Sequence, residues 1–508
     1  MLEKPARVLA RDREWRILNQ FLAADDPQLR LGLLSGRRRY GKSFLLRALT
    51  EQAGGLYLSA VREEGRIAAL ERATAAVAAY AGLPEAEVRI GDWERILTTA
   101  LDQVARQAAL PLLVIDELPY LLEHSPEIPG ILQKLYDDSR TGPGAPVRGR
   151  IILCGSAMSV MHELLSGTQP LRGRAALDMR LTAFDYRTAR ELWSVDDPDV
   201  ALRLHAVLGG APGYRQLVAT GTPGSVDTFD TWVMDNLLSP DIGVFTRTET
   251  EHLLREDPRI TRRTLYYDVL TAIARGASSP TKIGGLVGRE RTALAHPLDV
   301  LASSGYVVKE ADVLRGRNTS IKLADPVIRF NQLIAVPRAD LIDRGRADQA
   351  WRASAATFQS KILGPHFEDL ARQWTGHYAH ELLPGLELGA IGTTVVSDPR
   401  AKTAHEVDVV ALDLDSRPQQ PGARIHLLGE AKATIERRSP HDLARLEHIR
   451  SLLASQGYNT EGTVLALFSL NGFFPDLVRT AGQRKDVALV DLDALYGGPP
   501  RWGAARFV

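Results

Sequence analysis

Eight consecutive residues constrain this chain more than any others. Gly36, Arg37, Arg38, Arg39, Tyr40, Gly41, Lys42 and Ser43 spell G-x-x-x-x-G-K-[ST]. An apolar run at 31–35 precedes them, and an apolar helical run from Phe44 to position 49 follows. Strand, glycine loop and helix form the context that the motif requires. The glycines let backbone N–H groups wrap phosphates, and the helix N-terminus adds the positive end of its dipole. Lys42 is expected to reach the β- and γ-phosphates of ATP, and the Ser43 hydroxyl to bind Mg²⁺. The three arginines 37–39 make the loop basic, either to help hold nucleotide or simply as solvated charge.

Three further segments belong with this loop. Residues 112–116 form an apolar strand ending in Asp116, whose carboxylate is expected beside Ser43 on the metal, followed directly by Glu117. Glu117 can orient and deprotonate an attacking water, which would turn binding into hydrolysis. Residues 151–155 form a second buried strand ending before Ser156, which either senses the γ-phosphate or merely ends the strand. The segment Leu171-Arg172-Gly173-Arg174 offers an arginine to a phosphate, in the same chain or a neighbouring subunit of a homo-oligomer. A surface salt bridge is the alternative for Arg174.

The remaining architecture must accommodate 508 residues, too many for one ordinary core, so two to four domains are expected. Hydrophobic residues make up 44% and charged residues 24%, as in globular proteins. No stretch approaches the roughly 18 apolar residues of a membrane span, and the N-terminus lacks a signal-peptide core. A lone Cys154 excludes an internal disulfide and a cysteine zinc site, in keeping with a reducing cytoplasm. Formal net charge is zero, so binding to nucleic acid would rest on local patches.

Residues 1–235 alternate strands and helices, as an α/β P-loop domain with a helical lid would. Residues 236–337 suggest three helices, at 265–274, 280–287 and 290–302, then a hairpin at 306–310 and 319–323: a winged helix. Pro297 should kink or shorten the third helix. Residues 258–322 carry eleven Lys and Arg against five Asp and Glu. Arg289 and Arg291 begin the third helix, and Arg315 and Arg317 flank the wing turn, a layout suited to DNA phosphates. Protein docking is the alternative for such a module.

Residues 350–500 read as a second α/β domain. A helix carries Glu368, and strands at 406–412 and 424–433 carry Asp408 and the Glu430-Ala431-Lys432 triplet. The period of two separates Asp408 from Val407 and Val409. Paired as a hairpin, these strands would bring two carboxylates and an amine together. Such a set can bind Mg²⁺ or Mn²⁺, activate water and neutralise a phosphate, with Glu368 completing the metal shell. A surface Glu–Lys pair is the plain alternative. His405 lies close by, with no role expected of it.

In order along the chain, GRRRYGKS, LLVIDE, ILCGS, LRGR and GGAPGY resemble the archaeal-type ATPase family, an AAA-like group of the additional-strand P-loop class. One branch of that family continues with a winged helix and a domain resembling PD-(D/E)xK nucleases. The resemblance implies an ATPase fold with a restriction-endonuclease-like C-terminal domain, in which Asp408, Glu430 and Lys432 take the motif positions. Two functions are compatible with it: an ATPase that cuts DNA, or a nucleotide-dependent switch that binds DNA or protein without cutting.

Overall fold

The computed structural model describes residues 2–84, 91–141, 148–242, 244–257, 259–260, 262–316 and 319–499. It divides into two compact units. One comprises Met1–Ala183, Ala211–Tyr214 and His252–Thr261; the other comprises Phe184–Gly210, Arg215–Glu251 and Arg262–Val508. No described helix is long and apolar enough to cross a membrane.

The first unit is built on strands β1 (Leu29–Ser35), β2 (Leu56–Ser59), β3 (Leu112–Asp116), β4 (Gly149–Gly155) and β5 (Ala175–Arg180). They pair in parallel in the order β2-β3-β4-β1-β5. Alternate residues of each strand enter different cores, because strand side chains alternate in direction. Leu31, Leu33, Leu113, Ile115, Ile151 and Leu153 pack with the helices Arg66–Ala81 and Trp93–Gln107. Leu34, Val114, Ile152 and Cys154 pack with Asp12–Ala23 and Lys42–Ala53. A parallel sheet covered on both faces reads as continuous apolar runs, which makes such strands legible in sequence. β4 lies between β1 and β3, and the P-loop joins β1 to the helix Lys42–Ala53. This is the α/β fold of P-loop NTPases.

The second unit gathers helices and two sheets. The lid-like helices Tyr186–Trp193, Pro198–Leu208 and Val226–Asn236 belong to it rather than to the P-loop unit. Tyr186 donates to the Leu495 carbonyl at 2.8 Å, and Arg187 pairs with Glu381 at 2.6 Å. His205 Nδ1 and His366 Nε2 meet at 2.9 Å in the interior.

Helices Arg263–Ala274, Pro280–Val287 and Ala295–Ser303 precede an antiparallel pair, β6 (Val307–Ala311) and β7 (Thr319–Leu323). The third helix does not begin at Glu290. Residues Arg291–Leu294 form a 3₁₀ turn, and Pro297 falls in the first turn of the α-helix, where its missing N–H costs nothing.

The wing turn departs from expectation. Val313 and Leu314 are buried in a core shared with the C-terminal sheet. Val313 N–H donates to the Thr393 carbonyl at 3.1 Å, and Tyr458 donates to the Leu314 carbonyl at 3.1 Å. Arg315 is half-buried with Nη2 3.3 Å from Ser397 Oγ. Arg317 lies outside the described residues.

The C-terminal sheet holds β8 (Leu388–Asp398), β9 (Thr403–Asp413), β10 (Ile425–Lys432), β11 (Val464–Ser469) and β12 (Val487–Asp491), in sequential order. β8, β9 and β10 are antiparallel; β10, β11 and β12 are parallel. The helix Gly364–His377 packs on β8, β9 and β10, with Trp374 edge-on to Phe468. The helix Pro440–Ser455 packs Leu443, Leu446 and Ile449 against Val407, Val410 and Leu428.

Asp312 holds the wing to β8. Its buried carboxylate accepts from Leu314 N and Arg315 N at 2.9 Å, Thr394 Oγ1 at 2.7 Å and Val395 N at 3.3 Å. Asp312→Ala strands several buried donors and should cost about 3 kcal/mol. A lowered thermal midpoint should follow, largely recovered in Asp312→Asn. Unchanged melting of the alanine variant would show that the carboxylate does not secure the junction.

Candidate active sites

The P-loop site is assembled at the carboxyl ends of β1, β3 and β4. Gly41 caps the helix Lys42–Ala53 with φ +86°, a conformation that suits glycine, and Arg39 takes φ +70° in the turn before it. Lys42 is buried, and its Nζ donates to the Arg37 carbonyl at 3.1 Å, across the loop. Arg37 is buried against Tyr40, with 3.3 Å between Nη1 and the phenol oxygen. Arg38 is exposed, as is Phe44 at the start of the helix.

Asp116 sits at the end of β3, almost wholly buried. Tyr57 donates to Oδ2, and Glu117 N–H donates to Oδ1 at 2.9 Å. Burial alone would raise this carboxyl. Hydrogen bonds from the Cys154 thiol, Tyr57, Ser43 and the Glu117 N–H outweigh it and hold the group below its ordinary range. Cys154 itself is pushed well up by burial and the neighbouring Asp116 charge, so it stays a thiol and a donor. Glu117 occupies the left-handed region, φ +54°, at the start of the helix Leu118–His124. Its Oε2 accepts from the Ser156 hydroxyl at 3.2 Å. Ser43, Asp116, Glu117 and Ser156 are thus brought into one chain of contacts. Arg174 is engaged elsewhere, donating to both Asp137 oxygens at 2.9 and 3.0 Å.

Sequence reasoning missed three supports. Arg11 donates to the carbonyls of Tyr40 and Thr182, at 3.3 and 2.7 Å, steadying the loop from behind. Tyr57 and Cys154 are ordinary strand residues in sequence, and only the parallel register of β2, β3 and β4 brings them to Asp116. Gly213 N–H donates to the Arg39 carbonyl at 3.0 Å, and the Arg39 guanidinium lies 5.4 Å from the Tyr214 ring centroid. A Cβ on Gly213 would meet Cα and Cβ of Arg39 at 3.0 Å, so a larger residue there would press on the loop.

The second constellation lies in the C-terminal sheet. The β8–β9 register runs Gly392–Val410 and then Thr394–Val407, so Asp408 and Val409 face one residue of β8. This bulge interrupts the simple alternation at Asp408; such features re-aim side chains. Ala431 N–H donates to Asp408 Oδ2 at 2.9 Å, tying β9 to the triplet on β10. Burial raises Asp408 to about 6, against the Ala431 hydrogen bond and with repulsion from Glu430 and Glu406 added. Burial and the Asp408 charge raise Glu368 to about 7. Glu430 is buried, and its Oε1 faces Lys432 at 3.2 Å, Arg438 at 3.4 Å and Arg445 at 2.5 Å. Its Oε2 is buried with no hydrogen-bond partner among the described residues. Lys432 also reaches Asp442 at 3.4 Å. Arg438, Asp442 and Arg445 were not anticipated; they lie beyond the E-x-K strand, at and within the helix Pro440–Ser455.

Glu368, Asp408 and Glu430 do not place three ligand atoms within 4.8 Å of one another; among the described residues Asp398, His405 and His448 do, so the three carboxyls would have to draw together to share a divalent cation. Two have their pKa raised, chiefly by burial with repulsion from neighbouring carboxylates added, and a third keeps an unsatisfied buried oxygen. A hard cation with oxygen ligands would relieve both conditions.

No protein-family model matches the chain, and no curated protein does. Among solved structures, it is similar to the Walker-type ATPase of Pyrococcus abyssi, with 22% identity over 65% of this chain and 98% of that one, TM-score 0.48. Similarity also extends to the Aeropyrum pernix ORC2 protein, with 17% identity over 70% and 97%, TM-score 0.44. A third likeness is to Drosophila ORC bound to DNA, with 13% identity over 66% and 88%, TM-score 0.30. None of these three reaches a TM-score of 0.5, so the functional reading rests on the residues.

The raised carboxyls give a signed pH dependence. Between about pH 4 and 7 the folded state binds more protons at Glu368 and Asp408 than the unfolded chain does. Their contribution to stability is therefore greatest below about pH 4 and is lost as pH rises through about 7. Mg²⁺ added to metal-free protein at pH 6.5 should release protons, less in Asp408→Asn, as calorimetry in buffers of different ionisation enthalpy would register. Buffer-independent heats would remove the carboxyl cluster as the cation site.

Proposed function

We propose that this chain binds and hydrolyses ATP at the P-loop and acts on DNA, cleaving it at the Glu368, Asp408, Glu430 and Lys432 cluster. The observation that carries the ATPase reading is the buried Asp116 carboxylate bonded to Ser43, with Glu117 next in sequence and held by Ser156. Residues 36–44 would supply N–H groups to the phosphates, and Lys42 would exchange the Arg37 carbonyl for phosphate oxygen. Ser43 and Asp116 would hold Mg²⁺, which when bound neutralises phosphate charge. Glu117 would accept a proton from the attacking water, with the Ser156 hydroxyl setting the carboxylate's orientation.

At the second site Asp408, Glu430 Oε2 and Glu368 would hold Mg²⁺ or Mn²⁺, which acidifies water and polarises a phosphodiester. Lys432 would neutralise charge accumulating on the phosphate, and Glu368, raised to about 7, can hold a proton near neutrality. Exposed Lys282, Arg289 and Arg291, on or beside the short helices of the proposed winged helix, are the better candidates for DNA phosphates than the docked wing turn. A second reading is a nucleotide-dependent switch whose last domain binds without cutting. The three cations gathered on Glu430 Oε1 favour it, because they balance that carboxylate without a metal.

Lys42→Ala should abolish ATP turnover. Glu117→Gln should keep ATP binding while slowing hydrolysis about 100-fold or more, read by phosphate release and nucleotide titration. Normal turnover in either variant would dismiss that residue's role.

Plasmid and linear DNA incubated with Mg²⁺ or Mn²⁺, with and without ATP, test the second site. Cleavage present in the wild type and lost in Lys432→Ala supports the nuclease. No cleavage under any of these conditions leaves the switch.

A further inference from the structure

Apart from the acidic cluster, three potential ligands converge from three elements. Asp398 ends β8, His405 lies on β9, and His448 lies on the helix Pro440–Ser455. Their donor atoms all fall within 4.8 Å of one another. His448 Nε2 is 2.8 Å from Asp398 Oδ2, and His405 Nε2 is 3.9 Å from the same oxygen. The rings stand edge to face, 84° apart, with centroids at 5.6 Å.

We propose that Asp398, His405 and His448 form a separate site for a divalent transition ion, of which Zn²⁺ is the best fit. A tetrahedral ion with ligand bonds of about 2.0–2.1 Å keeps its donors about 3.3 Å apart. The two separations from Asp398 Oδ2 bracket that value, so a shift of about half an ångström at each histidine closes the shell. Two imidazoles and one carboxylate suit zinc better than magnesium, which prefers oxygen ligands. With three protein ligands, the fourth position is left to water or another small donor.

Two further observations point to a ligand. His405 Nε2 is buried and makes no hydrogen bond among the described residues, although it faces a carboxylate. Meanwhile Asp398 Oδ1 accepts from the N–H groups of Arg400 and Ala401, each at 3.0 Å, which fixes the carboxylate with Oδ2 toward the histidines. Outer contacts of this kind orient metal ligands.

The site has a structural consequence. His448 stands three residues beyond Arg445, whose guanidinium reaches Glu430, and three and four residues share a helix face. An ion at His448 would pin the helix Pro440–Ser455 to β8 and β9 at the position that sets Arg445.

Full-length protein stripped with chelator and titrated with Zn²⁺ against a chromogenic indicator tests the assignment. Wild type should bind one equivalent more than His405→Ala or His448→Ala, and Asp408→Asn should retain that equivalent. Co²⁺ in place of zinc should give visible bands of a low-symmetry tetrahedral site, absent in His448→Ala. Zinc should also raise the thermal midpoint of wild type more than that of His448→Ala, whose metal-free midpoint checks that it folds. Equal zinc stoichiometry in wild type and both histidine variants overturns the proposal. So does zinc lost in Asp408→Asn but kept in His448→Ala, which would place the ion in the acidic cluster.

Discussion

The first unit depends on one buried charge. An ionised carboxylate removed from water is tolerated only when donors replace its hydration. For Asp116 those donors come from β2, β4, the P-loop helix and the following peptide: Tyr57, Cys154, Ser43 and Glu117 N–H. Each hydrogen bond to a charged group is worth about 1.5–3 kcal/mol. Together they fix the ends of neighbouring strands relative to the phosphate loop. Strand order makes this available: with β4 between β1 and β3, the carboxyl ends that carry the loop, Asp116 and Ser156 open on one crevice.

The C-terminal cluster obeys the opposite arithmetic. Asp116 is over-supplied with donors and its pKa falls; Asp408 and Glu368 are under-supplied and theirs rise. Arg372 donates to the Asp408 main-chain carbonyl at 2.9 Å and so spends one of its hydrogen bonds on backbone. Glu430 is divided, with one oxygen facing three cations and the other facing none. A buried carboxyl left short of donors holds its proton more readily, whereas one well supplied stays ionised.

What could be read from the sequence followed from periodicity and local motif. The strands ending at Ser35, Asp116 and Gly155 are legible because a doubly covered parallel sheet leaves little choice but Leu, Ile and Val. Glu368, Asp408, Glu430 and Lys432 were legible as an order of acids on helix and strands. β8 was not, because Leu388–Asp398 is glycine- and threonine-rich and mostly half-buried. The bulge at Asp408 escaped because register belongs to two strands, and a single strand's pattern does not encode it. The packing of the wing on the sheet is hidden for a similar reason. Its basic residues suggested phosphates, but the intervening Asp312, Val313 and Leu314 face a partner sheet some eighty residues away. His405 and His448 are forty-three positions apart, and no local spacing links them to Asp398.

The segment Ala211–Tyr214 shows how chain connectivity constrains the nucleotide loop. It belongs to the first unit, while the residues on either side of it, through Gly210 and from Arg215, belong to the second. Within that short passage, Gly213 bonds the Arg39 carbonyl and the Tyr214 ring lies against the Arg39 side chain. Arg39 holds a left-handed backbone conformation in the middle of the phosphate loop. Two of the four residues in this passage contact Arg39 directly, and at one of them a Cβ would lie 3.0 Å from it. The GGAPGY string thus carries a structural requirement of its own, distinct from nucleotide contact: a backbone thin enough at Gly213 to lie against the loop that holds the phosphates.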